Sequence, residues 1–111
     1  MFNIFGQASK IRSLSQEDAK KKLNEDKDII LLDVRTPEEY KEKHIPNSIL
    51  LPLDTIKRDS EKKLTNKEAT IFVYCRSGGR SATAVATLAN LGYTNVYNIG
   101  GIMTWPYETE K

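Results

Sequence analysis

Ile71-Phe72-Val73-Tyr74-Cys75-Arg76-Ser77-Gly78-Gly79-Arg80-Ser81 is the stretch on which the reading of the fold turns. Four consecutive apolar residues make the clearest strand in the chain, and it runs straight into the only cysteine. A polar, glycine-bearing loop follows. Ser81 to Leu91 then predicts a helix, with Val85, Leu88 and Ala89 on one face and Ala84, Leu88 and Leu91 on another. A helix apolar almost all round is expected to be largely buried. Gly92 is placed to end it in a left-handed cap.

The same alternation extends outward in both directions. Ile29-Ile30-Leu31-Leu32, ending at Asp33, reads as a strand buried on both faces. Thr36-Pro37-Glu38-Glu39 predicts a helix start: Thr36 caps, Pro37 suits the first helical position, and Glu39 closes the box. His44-Ile45-Pro46-Asn47 breaks that helix, because the residue before proline disfavours helical geometry. Ile49-Leu50-Leu51 reads as a short strand, and Asp54 to Lys63 as a charged helix or a turn-rich connection. Ser15 with Asp18 resembles a capping box, opening a solvated helix through Ala19 and Leu23 whose lysines form a wet face. Val96-Tyr97-Asn98-Ile99 predicts a last strand, after which Gly100-Gly101 turns into a short helix limited by Pro106. Strands alternating with helices give the fold class: α/β, a small mainly parallel sheet flanked by helices with right-handed crossovers.

Composition sets the outer limits. A chain of 111 residues is expected to form a single domain over 1–111. Apolar residues make up 39% and charged residues 29%, a globular balance. The net charge of +2 is too small to argue for nucleic acid or an anionic membrane. No segment approaches the ~20 apolar residues needed to span a bilayer. Met1-Phe2-Asn3-Ile4-Phe5 is too short for a signal-peptide core, so a cytoplasmic location is expected. One cysteine excludes an internal disulfide and leaves a small core residue or a reactive thiol.

The neighbours of Cys75 favour the thiol. It lies at the carboxyl edge of a parallel sheet, where ligand sites of open α/β folds form. Gly78 and Gly79 permit a backbone that turns successive N–H groups inward. The following helix adds unpaired N–H groups and the positive end of its dipole, and Arg76 and Arg80 add two cations. All of these favour an anion, and the nearest is the Cys75 thiolate. Such surroundings lower a cysteine pKa from about 8.5 to roughly 3.5–7.5.

Three motifs in order identify a resemblance that covers most of the chain. Leu32-Asp33-Val34-Arg35-Thr36-Pro37-Glu38-Glu39-Tyr40 with His44-Ile45-Pro46 resembles the first signature of the rhodanese family. Cys75 to Ser81 resembles its active-site loop, and Gly100-Gly101-Ile102-Met103-Thr104-Trp105 its closing motif. Lys43 and Asn47 stand where family members often have glycine; Asn tolerates left-handed geometry. The resemblance implies a ping-pong sulfurtransferase with Cys75 as nucleophile. The thiolate takes a sulfane sulfur from a donor such as thiosulfate or a persulfide, and a cyanide, small-thiol or protein-thiol acceptor removes it. The persulfide on Cys75 is the intermediate, and no metal or organic cofactor is expected.

Within the loop, Arg76, Ser77, Gly78, Gly79, Arg80 and Ser81 are the candidate substrate-binding residues, Arg80 the firmer arginine because it directly precedes the predicted helix. Asp33, Arg35, His44 and Trp105 are read as structural support: an Asp–Arg pair at a strand end, a histidine not needed as base by a stabilised thiolate, and a packing indole. Two other functions compete. One is a phosphatase or arsenate reductase: dual-specificity cell-cycle phosphatases of this fold place five residues between Cys and Arg, whereas four separate Cys75 from Arg80. A non-catalytic interaction module is the other alternative, and such modules typically lose the cysteine.

Overall fold

The computed structural model describes residues 12–111; the apolar opening Met1–Phe5 lies outside them. Helix α1 (Gln16–Glu25) starts where Ser15 Oγ accepts the Asp18 N–H at 3.1 Å. Strand β1 (Ile30–Asp33) leads to α2 (Pro37–Glu42), whose capping box is complete. Thr36 Oγ1 accepts the Glu39 N–H at 3.2 Å, and Glu39 Oε1 accepts the Thr36 N–H at 3.0 Å. Strand β2 (Ile49–Leu50) is followed by a 3-10 turn (Leu53–Thr55) and α3 (Ile56–Lys63), so the segment read as helix or connection is helical. Strand β3 (Thr70–Cys75), α4 (Gly79–Asn90), β4 (Asn95–Gly101) and a 3-10 turn (Ile102–Thr104) complete the described chain.

The four strands are all parallel and lie in the order β2-β1-β3-β4. The chain leaves β1 toward one edge and β3 toward the other, which puts the topological switch point at the carboxyl ends of β1 and β3. That is where crevices open in such sheets. Both faces are covered. Leu32, Ile71, Val73 and Cys75 pack with Ile56, Ala84, Val85 and Leu88 on the side of α3 and α4. Leu31, Phe72 and Tyr74 pack with Ala19, Ile99, Ile102 and Trp105 on the other. Covering on both sides is why these strands read as unbroken apolar runs. The two-residue period of β3 also assigns Cys75 to the α4 face, with Ile71 and Val73.

Several expectations are corrected. Helix α4 begins at Gly79 rather than Ser81, because Gly78 takes φ 110° and acts as its N-cap. Arg80 therefore lies in the first turn, not ahead of it. The helix also buries one face only, through Ser81, Ala84, Val85 and Leu88, while Thr83 and Ala89 are exposed. A helix packed against one side of a sheet buries only the stripe facing it, which leaves Ala89 outside. Gly100 and Gly101 finish β4 instead of turning away from it.

Other expectations hold in detail. Gly92 has φ 101° and completes a Schellman cap: its N–H bonds the Ala89 carbonyl and that of Tyr93 the Leu88 carbonyl. Asn47 adopts φ 71°, the left-handed geometry asparagine tolerates. Lys43 caps α2 with an extended backbone, and its carbonyl accepts from Arg35 Nη2 at 2.7 Å.

Candidate functional site

The site grows from the end of β3. Parallel pairing with β1 and β4 fixes the backbone up to Tyr74, and Cys75 pairs with Gly101 across a register shift. The loop then rises and returns to α4 through the left-handed Gly78. Only Gly78 needs that freedom. Gly79 has no positive φ and nothing within 4 Å of where a side chain would begin.

Cys75 is 1% exposed, and its Sγ is surrounded by donors. The Gly78 N–H points at Sγ from 3.0 Å, and the Ser81 hydroxyl lies at 3.5 Å. Burial alone would push the thiol pKa up. The Ser81 hydroxyl, together with the N–H groups of Ser81, Gly78 and Ser77, outweighs that effect and holds the pKa below its ordinary value. The lowering thus comes chiefly from hydrogen bonds to the anion rather than from nearby charge.

A testable sign follows. A depressed thiol pKa keeps the thiolate populated as pH falls, so alkylation of Cys75 by iodoacetamide should remain fast below the pH at which an ordinary cysteine slows. Measured rate against pH should give a midpoint below about 8.5. A midpoint at or above that value would remove the cradle as an explanation of reactivity.

The two loop arginines are placed differently from one another. Arg80 Nη1 and Nη2 reach Glu39 Oε1 and Oε2 at 2.9 and 3.1 Å, a two-point ion pair between α4 and α2. Glu39 is held at a pKa of about 2, first by Arg80, against partial burial, and further by the Thr36 N–H. Arg76 is exposed and, among the described residues, has no ion-pair partner. Its side chain is the open cation of the loop, while that of Arg80 is engaged by Glu39.

The supporting residues divide by what they hold. Asp33, fully buried, takes the Arg35 guanidinium through Nε at 2.9 Å and Nη2 at 2.7 Å, and its Oδ1 also accepts the Arg35 N–H. This pair ties the end of β1 to the Lys43 carbonyl. Neither side chain contacts Cys75 through a hydrogen bond. The His44 ring stacks on Tyr40 at 3.8 Å, its Nδ1–H donates to the Tyr40 carbonyl, and its Nε2 lies 3.4 Å from Glu110. Trp105 packs in the α1-side core, edge-to-face with Tyr107, and its Nε1–H donates to the Glu108 carbonyl.

Sequence reading missed Asn98. Its Oδ1 accepts from the Ser81 hydroxyl at 2.7 Å and the Gly100 N–H at 2.9 Å, and its Nδ2 donates to the Gly78 carbonyl at 3.2 Å. One amide thus ties the N-cap of α4 to the end of β4. The Ser81 hydroxyl has a single proton, for which Asn98 Oδ1, the Gly78 carbonyl and the Cys75 thiolate compete. The only sequence signal was a polar amide inside an otherwise apolar strand.

The family model for the rhodanese-like domain matches residues 15–107. A putative sulfur carrier protein of Bacillus subtilis is 36% identical over 104 residues, 93% of this chain but 55% of the relative, so the chain spans about half that protein's length. A thiosulfate sulfurtransferase of Escherichia coli is 38% identical over 71 residues, 64% of this chain and 68% of the relative. The crystal structure of a rhodanese-like domain protein from Staphylococcus aureus superposes with a TM-score of 0.75 at 36% identity, covering 88% of this chain and 94% of that one.

Proposed function

The chain belongs to the rhodanese-like domain family, and from that premise we propose that it is a sulfurtransferase carrying sulfur as a persulfide on Cys75. One observation carries the reading: a buried cysteine whose Sγ faces the Gly78 N–H and the Ser81 hydroxyl, with its pKa lowered. With thiosulfate as donor, the Cys75 thiolate attacks the outer sulfur. The donor S–S bond breaks, its electron pair leaves on sulfite, and the enzyme holds Cys75–S–S⁻. An acceptor then attacks the outer sulfur of that persulfide, and the electron pair of the breaking bond returns to Cys75 as thiolate. Cyanide leaves as thiocyanate, and a thiolate acceptor leaves as a new persulfide. Donors in the N–H cradle stabilise charge on Sγ through both halves.

Neither half calls for a metal or organic cofactor. The proposed partners are a small sulfur donor and a thiol or cyanide acceptor, or proteins in either role, in a reducing cytoplasmic compartment. Among the described residues no helix is long and apolar enough to cross a membrane. The four-residue spacing from Cys75 to Arg80, with Arg80 committed to Glu39, disfavours the phosphatase and arsenate reductase alternatives.

The test is direct. Incubated with thiosulfate or an organic persulfide, the protein should gain the mass of one sulfur atom, and cyanide should remove it. Loss of that mass should accelerate with acceptor concentration, because the chain has no second cysteine to resolve the persulfide. Phosphomonoester hydrolysis should be absent from the same sample. Failure to load from every donor, or discharge at a rate indifferent to acceptor, overturns the proposal.

A further inference from the structure

The ion pair between Glu39 and Arg80 joins the two helices that follow the switch-point strands β1 and β3. Glu39 leaves the first turn of α2 beyond β1, and Arg80 leaves the first turn of α4 beyond β3. The pair is two-pointed, with both carboxylate oxygens engaged, and Oε1 also takes the Thr36 N–H and hydroxyl. The guanidinium is therefore oriented by a partner that is itself anchored. Side-chain exposures of 36% for Arg80 and 27% for Glu39 leave the pair at the rim, where an arriving donor meets its field.

The consequence is a count of charge. Arg80 is close enough to Cys75 that the thiolate favours its charged form. Counted as formal charge over Cys75 to Ser81, two unpaired arginines and one thiolate would leave a surplus positive charge at the loop. With Arg80 neutralised by Glu39, the exposed Arg76 is the one unpaired cation of the loop and the count falls to zero. A dianion approaching an anionic nucleophile is repelled more than a monoanion or a neutral molecule.

We propose that Glu39 sets the charge specificity of the donor subsite: by pairing with Arg80 it favours donors with one negative charge or none at the transferring group, such as organic or protein persulfides, over dianionic thiosulfate. The inference rests on the sulfur-transfer reading for the identity of the donor, but the charge device itself does not. For a protonated persulfide the balance is simple. The Cys75 thiolate bonds the outer SH sulfur, the donor S–S bond breaks, and the donor leaves as a thiolate.

Glu39→Gln isolates the charge, because glutamine at this helix position still closes the capping box. The full chain, its Glu39→Gln variant and the Glu39→Gln/Arg80→Gln double variant would be alkylated with iodoacetate, an anion, and iodoacetamide, which is neutral. Working at a pH where Cys75 is fully ionised, the ratio of the two rates cancels thiolate population. The ratio should rise roughly threefold to tenfold in Glu39→Gln, the range for one partly screened charge, and fall back in the double variant. The KM for thiosulfate should drop with it, while that for a protonated persulfide stays near wild type. An unchanged ratio in Glu39→Gln, or a rise that survives in the double variant, overturns the proposal. A raised ratio with no sulfur loading from any donor would sink the sulfur-transfer reading and leave the charge device standing.

Discussion

Replacing Cys75 with serine is expected to abolish sulfur loading while leaving the fold in place. The hydroxyl of serine stays protonated across the working pH range, and nothing near position 75 is placed to act as its base. His44 is occupied by Tyr40 and Glu110, and the Ser81 hydroxyl is a donor in competition, not a proton acceptor of useful strength. The thiolate that the cradle stabilises would therefore have no counterpart. Serine Oγ can still accept the Gly78 N–H, so the cradle keeps an acceptor and the buried donors are not orphaned. The stability cost should be about 1 kcal/mol, a shift of roughly 4–8 °C in Tm for a domain of this size. Intact-mass measurement after thiosulfate and after a persulfide donor reads the chemistry, and thermal melting reads the fold. A Cys75→Ser chain that melts normally yet still gains sulfur would place the carrier elsewhere and end the present account.

Much of this was legible because it is local. The strand into Cys75, the Thr36–Glu39 capping box, the Gly92 cap and the left-handed Asn47 depend on residues a few positions apart, so local sequence is enough to specify each. Cys75 itself stood out because strand, glycine, cations and helix N-terminus all pointed to one anion. What was not legible depends on contacts between distant elements. Glu39 caps its own helix in sequence, and nothing local reveals that both its oxygens also meet Arg80, 41 residues on. Glycine lowers helix propensity, so sequence favours a start for α4 at Ser81, whereas Gly78 and Gly79 are its N-cap and first helical residue. Asn98 was invisible as a site residue for the same reason: its amide bonds to the loop across the sheet edge, not along its strand.

Gly101 shows how far such a contact can reach, and its replacement by alanine should damage the site more than any change on the loop's outer face. Its φ of −130° suits any residue, so backbone freedom is not the reason for glycine here. Close approach is. A Cβ at Gly101 would clash with the carbonyl carbon and oxygen of Arg76 and lie 2.6 Å from Ser77 Cα, atoms of backbone that cannot rotate away. The neighbouring peptide is also pinned, since Met103 N–H donates to the Arg76 carbonyl at 3.1 Å and Gln16 donates to the Gly101 carbonyl at 2.8 Å. Relief must come from moving the Arg76–Ser77 peptide, which carries the Ser77 N–H and the approach of Gly78 to Sγ. Overpacking of this kind costs about 1–3 kcal/mol. Displacing a cradle donor by an ångström would slow sulfur loading by roughly 10²-fold. The thiolate pKa should rise at the same time, because burial remains while the opposing hydrogen bonds weaken. Gly79→Ala adds the same methyl group at a helical position with open space around it, and should preserve or slightly raise Tm. Alkylation rate against pH, sulfur loading and Tm measured on both variants separate the effects. Should Gly101→Ala load sulfur at the wild-type rate with an unshifted thiolate midpoint, the loop would have to be held by something other than the end of β4.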